Sequence, residues 1–394
     1  MKFAEFFAGV GLVREGLENT GWECAWANDI SVDKMDTYVT NYGKEHFYLE
    51  DIWKIASNDS SVIPNEVFLY TASFPCTDLS QAGSRAGLAG NESGTLKALL
   101  KILQYKKLTN DLPKVVMLEN VSGFLTSHQG NDVIETVQIL SKLGFVIDII
   151  ELDAIFFTPQ SRPRVFLFAV DESIAHHFMQ IKNTQNPFDP WWSIFDDNPK
   201  LRSTKLKKII ASNEELNWGL FDIPLPKPRR TTINDIIDCN IPDDSSLWWT
   251  SERKNHLLSQ MSPNHKEKLQ VMIRQNSYSY GTVFRRMRAG KSMAELRVDG
   301  NAGCLRTPRG GSSKQILIRA GYEQWNVRLL TPREYARLQG VRDSFILPSN
   351  ANKGYFAMGD AVCVPVIEYI SNHILSPIRD FFYKKEKNDT KNTE

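Results

Sequence analysis

Short apolar runs alternate with amphipathic segments along the first 170 residues. Lys2–Phe7, Glu23–Ala27, Val67–Ala72, Lys114–Leu118, Phe145–Leu152 and Val165–Val170 carry the apolar runs and predict strands. Leu12–Asn19, Val32–Asn41, Thr95–Lys106 and Asp132–Leu143 carry helical spacing between them. Apolar strands alternating with helices indicate βαβ units, and so an α/β fold with a mostly parallel sheet and helices on both faces. From Asp171 to about Ala320 the pattern becomes irregular, with Trp191-Trp192, Pro224–Pro228 and Trp248-Trp249 along it. That stretch predicts a smaller, β-containing second domain with little regular helix. Helical spacing returns past Trp325, in Pro332–Gln339 and Val364–Ile374, and the polar tail from Lys384 is expected to fray.

Composition changes this picture little. Of 394 residues, 42% are hydrophobic and 24% charged, as in an ordinary soluble globular protein. Forty-seven basic and 46 acidic residues leave a net charge of +1, so any basic surface must be local. Five scattered cysteines (Cys24, Cys76, Cys239, Cys304, Cys363) fit neither a disulfide framework nor a zinc cluster. No run approaches the ~20 apolar residues of a membrane span. The charge at Glu5 breaks the N-terminal apolar run, so a signal peptide is not expected. These absences predict a cytosolic protein in a bacterium, or a nuclear or cytosolic one elsewhere.

Candidate chemistry falls just after strands, where ligands of parallel sheets sit. Phe7-Ala8-Gly9-Val10-Gly11 follows the first strand, and Asp29 follows the second where a ribose acceptor belongs. Arg14 occupies the place of a third glycine, which argues against a dinucleotide pyrophosphate. Glycines that merely serve the turn would give the same spacing. Ser73-Phe74-Pro75-Cys76-Thr77-Asp78-Leu79-Ser80 places a thiol on a rigid proline turn at a strand's carboxyl end. Such a thiol is either a nucleophile or an inert packed cysteine. The glycine-studded stretch through Gly94 predicts a mobile loop able to close over a substrate. Glu119 directly follows the apolar strand at Lys114–Leu118, where a carboxyl can donate a proton or simply cap a loop. In Gln160-Ser161-Arg162-Pro163-Arg164, alternation puts Gln160, Arg162 and Arg164 on one face, able to converge on one anionic or carbonyl-rich target.

The order of these motifs resembles that of the cytosine carbon-5 DNA methyltransferase family. Two later segments extend the resemblance: Arg328-Leu329-Leu330-Thr331-Pro332-Arg333-Glu334-Tyr335-Ala336-Arg337-Leu338-Gln339-Gly340, and Gly359-Asp360-Ala361-Val362 with Val364-Pro365-Val366. The resemblance implies a Rossmann-like catalytic domain from 1–170 and 325–385, a target-recognition domain from 171–324, and a polar tail from 386–394. It implies S-adenosylmethionine as cofactor, with S-adenosylhomocysteine as product. Phe7, Gly9 and Gly11 would hold the methionine end, Asp29 the ribose, and Asp51-Ile52 the adenine. Ala8, Ile30, Phe74, Pro75, Leu96, Asp360 and Ala361 complete the expected cofactor contacts.

The same resemblance casts Cys76 as the thiolate that adds to carbon-6 of cytosine. Glu119 becomes the acid at ring nitrogen 3, and Arg164 the cation for the ring carbonyl. Arg162 is expected to brace the loop and Glu119. Double-stranded DNA is the expected substrate, with the target base flipped out. Ser80 and Arg85 are expected to touch it. Between Arg274 and Arg319 ten basic residues face two acids, Glu295 and Asp299, a local charge of +8. Arg285, Arg286, Arg288, Arg306 and Arg309 are the candidate DNA readers in that window. The setting implied is a monomeric bacterial methylase, either an orphan or part of a restriction-modification system with a cognate restriction endonuclease as partner.

Ser73, Thr77, Leu79 and Asp360 depart from the family's usual Gly, Gln, Phe and Asn, but none removes a reacting group. Three other readings stay open at this point: the same chemistry on tRNA, a silent DNA-binding protein on this fold, and a nicotinamide dehydrogenase.

Overall fold

The computed structural model describes residues 1–58, 60–75, 94–182, 190–288, 290–307 and 313–391. Cys76, Thr77, Leu79, Ser80, Arg85 and Arg309 lie outside the described residues. Seven strands build the main sheet: β1 (Lys2–Phe6), β2 (Glu23–Asp29), β3 (Phe47–Leu49), β4 (Leu69–Ser73), β5 (Val115–Val121), β6 (Phe145–Asp153) and β7 (Pro163–Asp171). Their order is β3-β2-β1-β4-β5-β7-β6. The first five run parallel, and β7 lies antiparallel beside β5.

Burial along these strands is nearly continuous, as in Leu69–Ala72 and Val115–Asn120. Successive side chains point to opposite faces, so both faces of the sheet are covered, as parallel sheets require. On one face Phe6, Tyr70, Ala72 and Leu118 join a core with Leu96, Leu99 and Leu103 of the helix Thr95–Leu108. On the other face Phe3, Leu69, Val115 and Met117 are buried as well. The predicted strands and helices of this region occur where expected. The short β3 and the helix Ile52–Asn58 are additions, too brief to show a period in the sequence.

Two compact units divide the chain: residues 1–152, 163–226 and 366–394, and residues 153–162 and 227–365. A small antiparallel ribbon of β8 (Met179–Ile181) and β9 (Gly219–Phe221) belongs to the first. The second holds β10 (Ser279–Arg288), β11 (Lys291–Arg297), β12 (Ile316–Gly321) and β13 (Gln324–Leu329), an antiparallel sheet in the order β11-β10-β12-β13. Its core joins Val283, Leu296, Ile318 and Val327 to Leu257 and Met272 of two helices, Ser251–Ser259 and Pro263–Ile273. Compactness therefore groups 171–226 with the main sheet and 325–365 with the antiparallel sheet, a different partition from the sequence-based limits at 170 and 325.

The region expected to hold little helix contains three clear helices, Thr204–Ala211, Ser251–Ser259 and Pro263–Ile273. Their start signals are local. Ser203 and Thr250 accept backbone N–H bonds from Leu206 and Arg253, and Pro263 follows Ser262 at the first helical position. The tail expected to fray from Lys384 continues as helix to Lys391. The C-terminal helical stretch Ala351–Lys384 is long and apolar enough to cross a membrane, but most of its apolar part is buried within the protein.

Candidate functional site

The loop after β1 is built around positive backbone angles. Phe7, Gly9 and Gly11 have φ of 56°, 58° and 82°. Such values favour glycine and make Phe7 an exception held by its surroundings. A Cβ on Gly11 would lie 2.6 Å from the Tyr42 ring, while one on Gly9 would meet nothing within 4 Å. Gly9 thus presents bare backbone to open space. Asp29, at the end of β2, accepts the Gly9 N–H at 2.9 Å and the Ser31 N–H at 2.9 Å. Ala8, buried, donates its N–H to the Asn28 carbonyl at 2.8 Å, and Asn28 reaches the Tyr48 and Glu50 carbonyls. The ends of β1, β2 and β3 are therefore laced together around the loop.

Ile30, just beyond, is 68% exposed, an unusual place for a large apolar side chain unless something covers it. Asp51 accepts the Trp53 N–H at 2.9 Å and starts the helix whose first residue is the buried Ile52. Arg14 is sealed into the fold. It donates to Glu18 at 2.8 Å and Tyr38 at 3.0 Å, and lies over the Tyr42 ring. The site so built suits a nucleoside-like ligand without phosphates.

Beneath this loop Glu5 is 2% exposed, and its Oε2 has no hydrogen-bond partner among the described residues. Burial pushes its carboxyl up to about 8, with the nearby Arg14 guanidinium opposing the rise. A carboxyl raised in the folded state stabilises it fully below the ordinary value of 4.5, and that contribution is lost as pH rises towards 8. We expect the melting temperature to fall from pH 5 to pH 8, by an amount equivalent to a few kcal/mol at ~1.4 kcal/mol per pKa unit. Glu5→Gln should remove most of that fall. Parallel pH profiles for the two proteins would show that Glu5 titrates normally.

The second cluster sits at the ends of β4 and β5. Ser73 pairs with Glu119 in the parallel register, and Glu119 pairs with Phe166 of β7. Arg164 stands opposite Val121, so it is the diagonal neighbour of Glu119 on the same face. Its Nε lies 3.0 Å from Glu119 Oε1, with both side chains largely buried. Asn120 donates through Nδ2 to the Phe74 carbonyl at 3.0 Å and accepts the Val121 N–H at 2.8 Å. It fixes the chain leaving β4 just before Pro75 and Cys76. Phe74 is buried edge-on against Phe124, and Leu96 is fully buried in the apolar core. Asn120 lies in the motif Leu118-Glu119-Asn120-Val121, and its bond to the Phe74 carbonyl is a role that sequence alone does not assign.

Gln160 and Arg162 face backbone groups. Both are buried in the second unit and serve its backbone. Gln160 donates to the Leu338 carbonyl and accepts the Leu305 N–H. Arg162 donates to the carbonyls of Leu305 at 2.8 Å, Ala361 at 2.7 Å and Gly359 at 3.3 Å. Arg164 braces Glu119, and Arg162 braces carbonyls of the second unit. The physical reason is that buried irregular chain leaves carbonyls that must be satisfied, and a guanidinium can satisfy several at once. Gln339, also fully buried, joins this knot through the Met358 and Ala361 carbonyls. Gly359 lies against the backbone of Arg306 and Thr307, and Asp360 accepts a hydrogen bond from the Thr307 hydroxyl. The Gly359-Asp360-Ala361 motif thus anchors residues 304–307.

The basic window is partly neutralised. Arg286 and Arg288 both pair with Glu295, and Arg297 with Asp299. Arg306 is exposed. Arg285 alternates with its neighbours onto the other face of β10, the face that carries Val283 and the core.

Residues 1–376 match the family model described as C-5 cytosine-specific DNA methylase. The Type II methyltransferase M.Bsp6I of Bacillus sp. (strain RFL6) is 28% identical over 379 residues, covering 95% of this chain and 98% of that protein. The Type II methyltransferase M.DsaV of Dactylococcopsis salina is 26% identical over 381 residues, covering 96% and 87%. Among solved structures, the Entamoeba histolytica methyltransferase EhMeth shares the fold with a TM-score of 0.63 at 17% identity, covering 96% of this chain and 98% of that one. The chain belongs to the C-5 cytosine-specific DNA methylase family, and with it to the enzymes that methylate cytosine in DNA at carbon-5.

Proposed function

We propose that this enzyme methylates a cytosine flipped out of one specific double-stranded DNA sequence, through a covalent adduct with Cys76. The observation that supports this most is the Glu119 carboxyl, held by Arg164 one strand over from Ser73. From Ser73 the chain runs through Phe74 and Pro75 directly to Cys76. S-adenosylmethionine fits the loop of Phe7, Ala8, Gly9 and Gly11, with Asp29, Ile30, Asp51 and Ile52 beside it. Gly9 leaves space for a ligand there.

Each remaining residue has a task. The Cys76 thiolate adds to carbon-6 of the ring, and the electron pair released makes carbon-5 nucleophilic. Glu119 delivers a proton to ring nitrogen 3 as negative charge gathers there, and Arg164 orients that carboxyl. When bound, S-adenosylmethionine supplies an electrophilic methyl group on a sulfonium and leaves as S-adenosylhomocysteine. Water then takes the carbon-5 proton, the electrons of that bond expel Cys76 as thiolate, and ring nitrogen 3 returns its proton to the Glu119 carboxylate, which restores the ring. Arg162, Asp360 and Ala361 act by fixing the chain that passes them.

Sequence reading by the enzyme is assigned to residues 171–324, with Arg285, Arg286, Arg288, Arg306 and Arg309 as candidates and Ser80 and Arg85 near the target base. The catalytic role falls to 1–170 and 325–385. Relatives named as Type II methyltransferases support a modification methylase, which we place in a bacterial cytoplasm as a monomer. The test is transfer of label from methyl-labelled cofactor to duplex DNA and, separately, to tRNA. Duplex DNA is expected to take the label, and label in tRNA alone would refute the proposal.

A further inference from the structure

Between the helix Ser251–Ser259 and β10 lies a pocket of about 120 Å³, lined by Trp249, Arg253, His256, Leu257, Gln260 and Arg285. Arg253, His256, Leu257 and Gln260 recur at helical spacing and so share one side of the helix. Trp249 is buried, and both guanidiniums lie over its ring, Arg253 at 3.7 Å and Arg285 at 5.9 Å from the centroid. Stacking on an indole holds a guanidinium flat and leaves its N–H edge free to donate.

The charge of this pocket is uncompensated. Neither Arg253 nor Arg285 has an ion-pair partner among the described residues, and the buried Nε of Arg285 has no hydrogen-bond partner. The adjacent tryptophan makes a useful contrast. Arg319 and Arg328 lie over Trp248, and each has a carboxylate, Asp243 and Glu334 respectively. Burial and the neighbouring Arg253 lower the pKa of Arg285, which shows that its charge is held at a cost. Two like charges side by side over one ring call for an anion. Gln260 and His256 complete the wall, with Gln260 Nε2 3.1 Å from His256 Nε2 and Gln260 Oε1 buried without a partner. With its amide turned over, Gln260 would accept from His256.

We propose that this pocket is a phosphodiester site, in which Arg253 and Arg285, stacked on Trp249, clamp one backbone phosphate of the bound DNA. The proposal rests on the reading of this unit as the DNA-contacting one. It separates Arg285 from base readers: a neutral base edge would leave two adjacent cations uncompensated, whereas phosphate oxygens accept from both. It also adds Trp249 and Arg253, which lie outside the +8 window, to the DNA contact.

The test is equilibrium binding of the full chain to labelled duplexes of cognate and altered sequence over a range of salt concentrations. The Arg253→Gln/Arg285→Gln double variant should bind every duplex more weakly, by the same factor, with the salt slope reduced by ~1. Arg253→Lys/Arg285→Lys should keep the slope, because it keeps the charge, and thereby shows that the loss is not one of folding. Unchanged affinity and slope in the Gln variant would overturn the proposal, as would a change of preferred base at one position. Loss of inorganic phosphate or ATP binding with no change in the DNA slope would assign the pocket to a free anion and also overturn it. A wild-type protein whose duplex affinity ignores salt would instead defeat the broader reading of this unit.

Discussion

Cys76→Ala should abolish methyl transfer while leaving duplex DNA bound. Carbon-5 of cytosine is a weak nucleophile, and the proposed route raises its reactivity only by adding a thiolate at carbon-6. Alanine removes the one atom that makes that bond. The chain before it is held independently, because Asn120 fixes the Phe74 carbonyl and Phe74 is buried against Phe124. A filter assay of labelled methyl incorporation, run beside a gel shift, separates the two properties. Residual transfer near the wild-type rate would sink the covalent route. The complementary experiment uses a duplex carrying 5-fluorocytosine at the target. Fluorine cannot leave as the proton does, so the wild-type enzyme should accumulate as a covalent complex stable to denaturation, and Cys76→Ala should not.

Glu119→Gln should lower the turnover rate by ~100- to ~10,000-fold, the usual range for loss of a general acid–base group. The amide keeps the shape and a hydrogen bond to the substrate, but it cannot transfer the proton that neutralises ring nitrogen 3. It also loses the ion pair with Arg164 at 3.0 Å, so misplacement must be told apart from lost acidity. Arg164→Gln provides that control, since it removes the pair and keeps the acid. If the pair matters only for orientation, Arg164→Gln will be the milder of the two. A Glu119→Gln rate within about threefold of wild type would reduce Glu119 to a structural residue.

The parts of this molecule that were legible in the sequence are those where one local pattern has one outcome. Val115–Leu118 is apolar at every position, and only a strand buried on both faces needs that. Phe7 to Gly11 declared a turn through its glycines, and the ends of neighbouring strands brought Asp29 to it. The second unit hid its order for a physical reason. The helix Ser251–Ser259 buries only Leu257 among its own residues, so it shows almost no apolar stripe. In β10 an arginine, Arg285, stands on the core-facing side, which breaks the alternation that marks a strand. Arg162 is a further case, because the carbonyls it serves lie 143 to 199 positions away. No local pattern carries that information. The pocket over Trp249 was missed likewise, because its two arginines are separated in sequence and meet only through folding.

Bisulfite sequencing of DNA from a methylase-free bacterial host expressing this protein tests the central claim most directly. The proposed function predicts protected cytosines confined to one position of one short recurring sequence, and none in cells expressing Cys76→Ala. Full conversion of every cytosine in cells that contain the folded wild-type protein would contradict it.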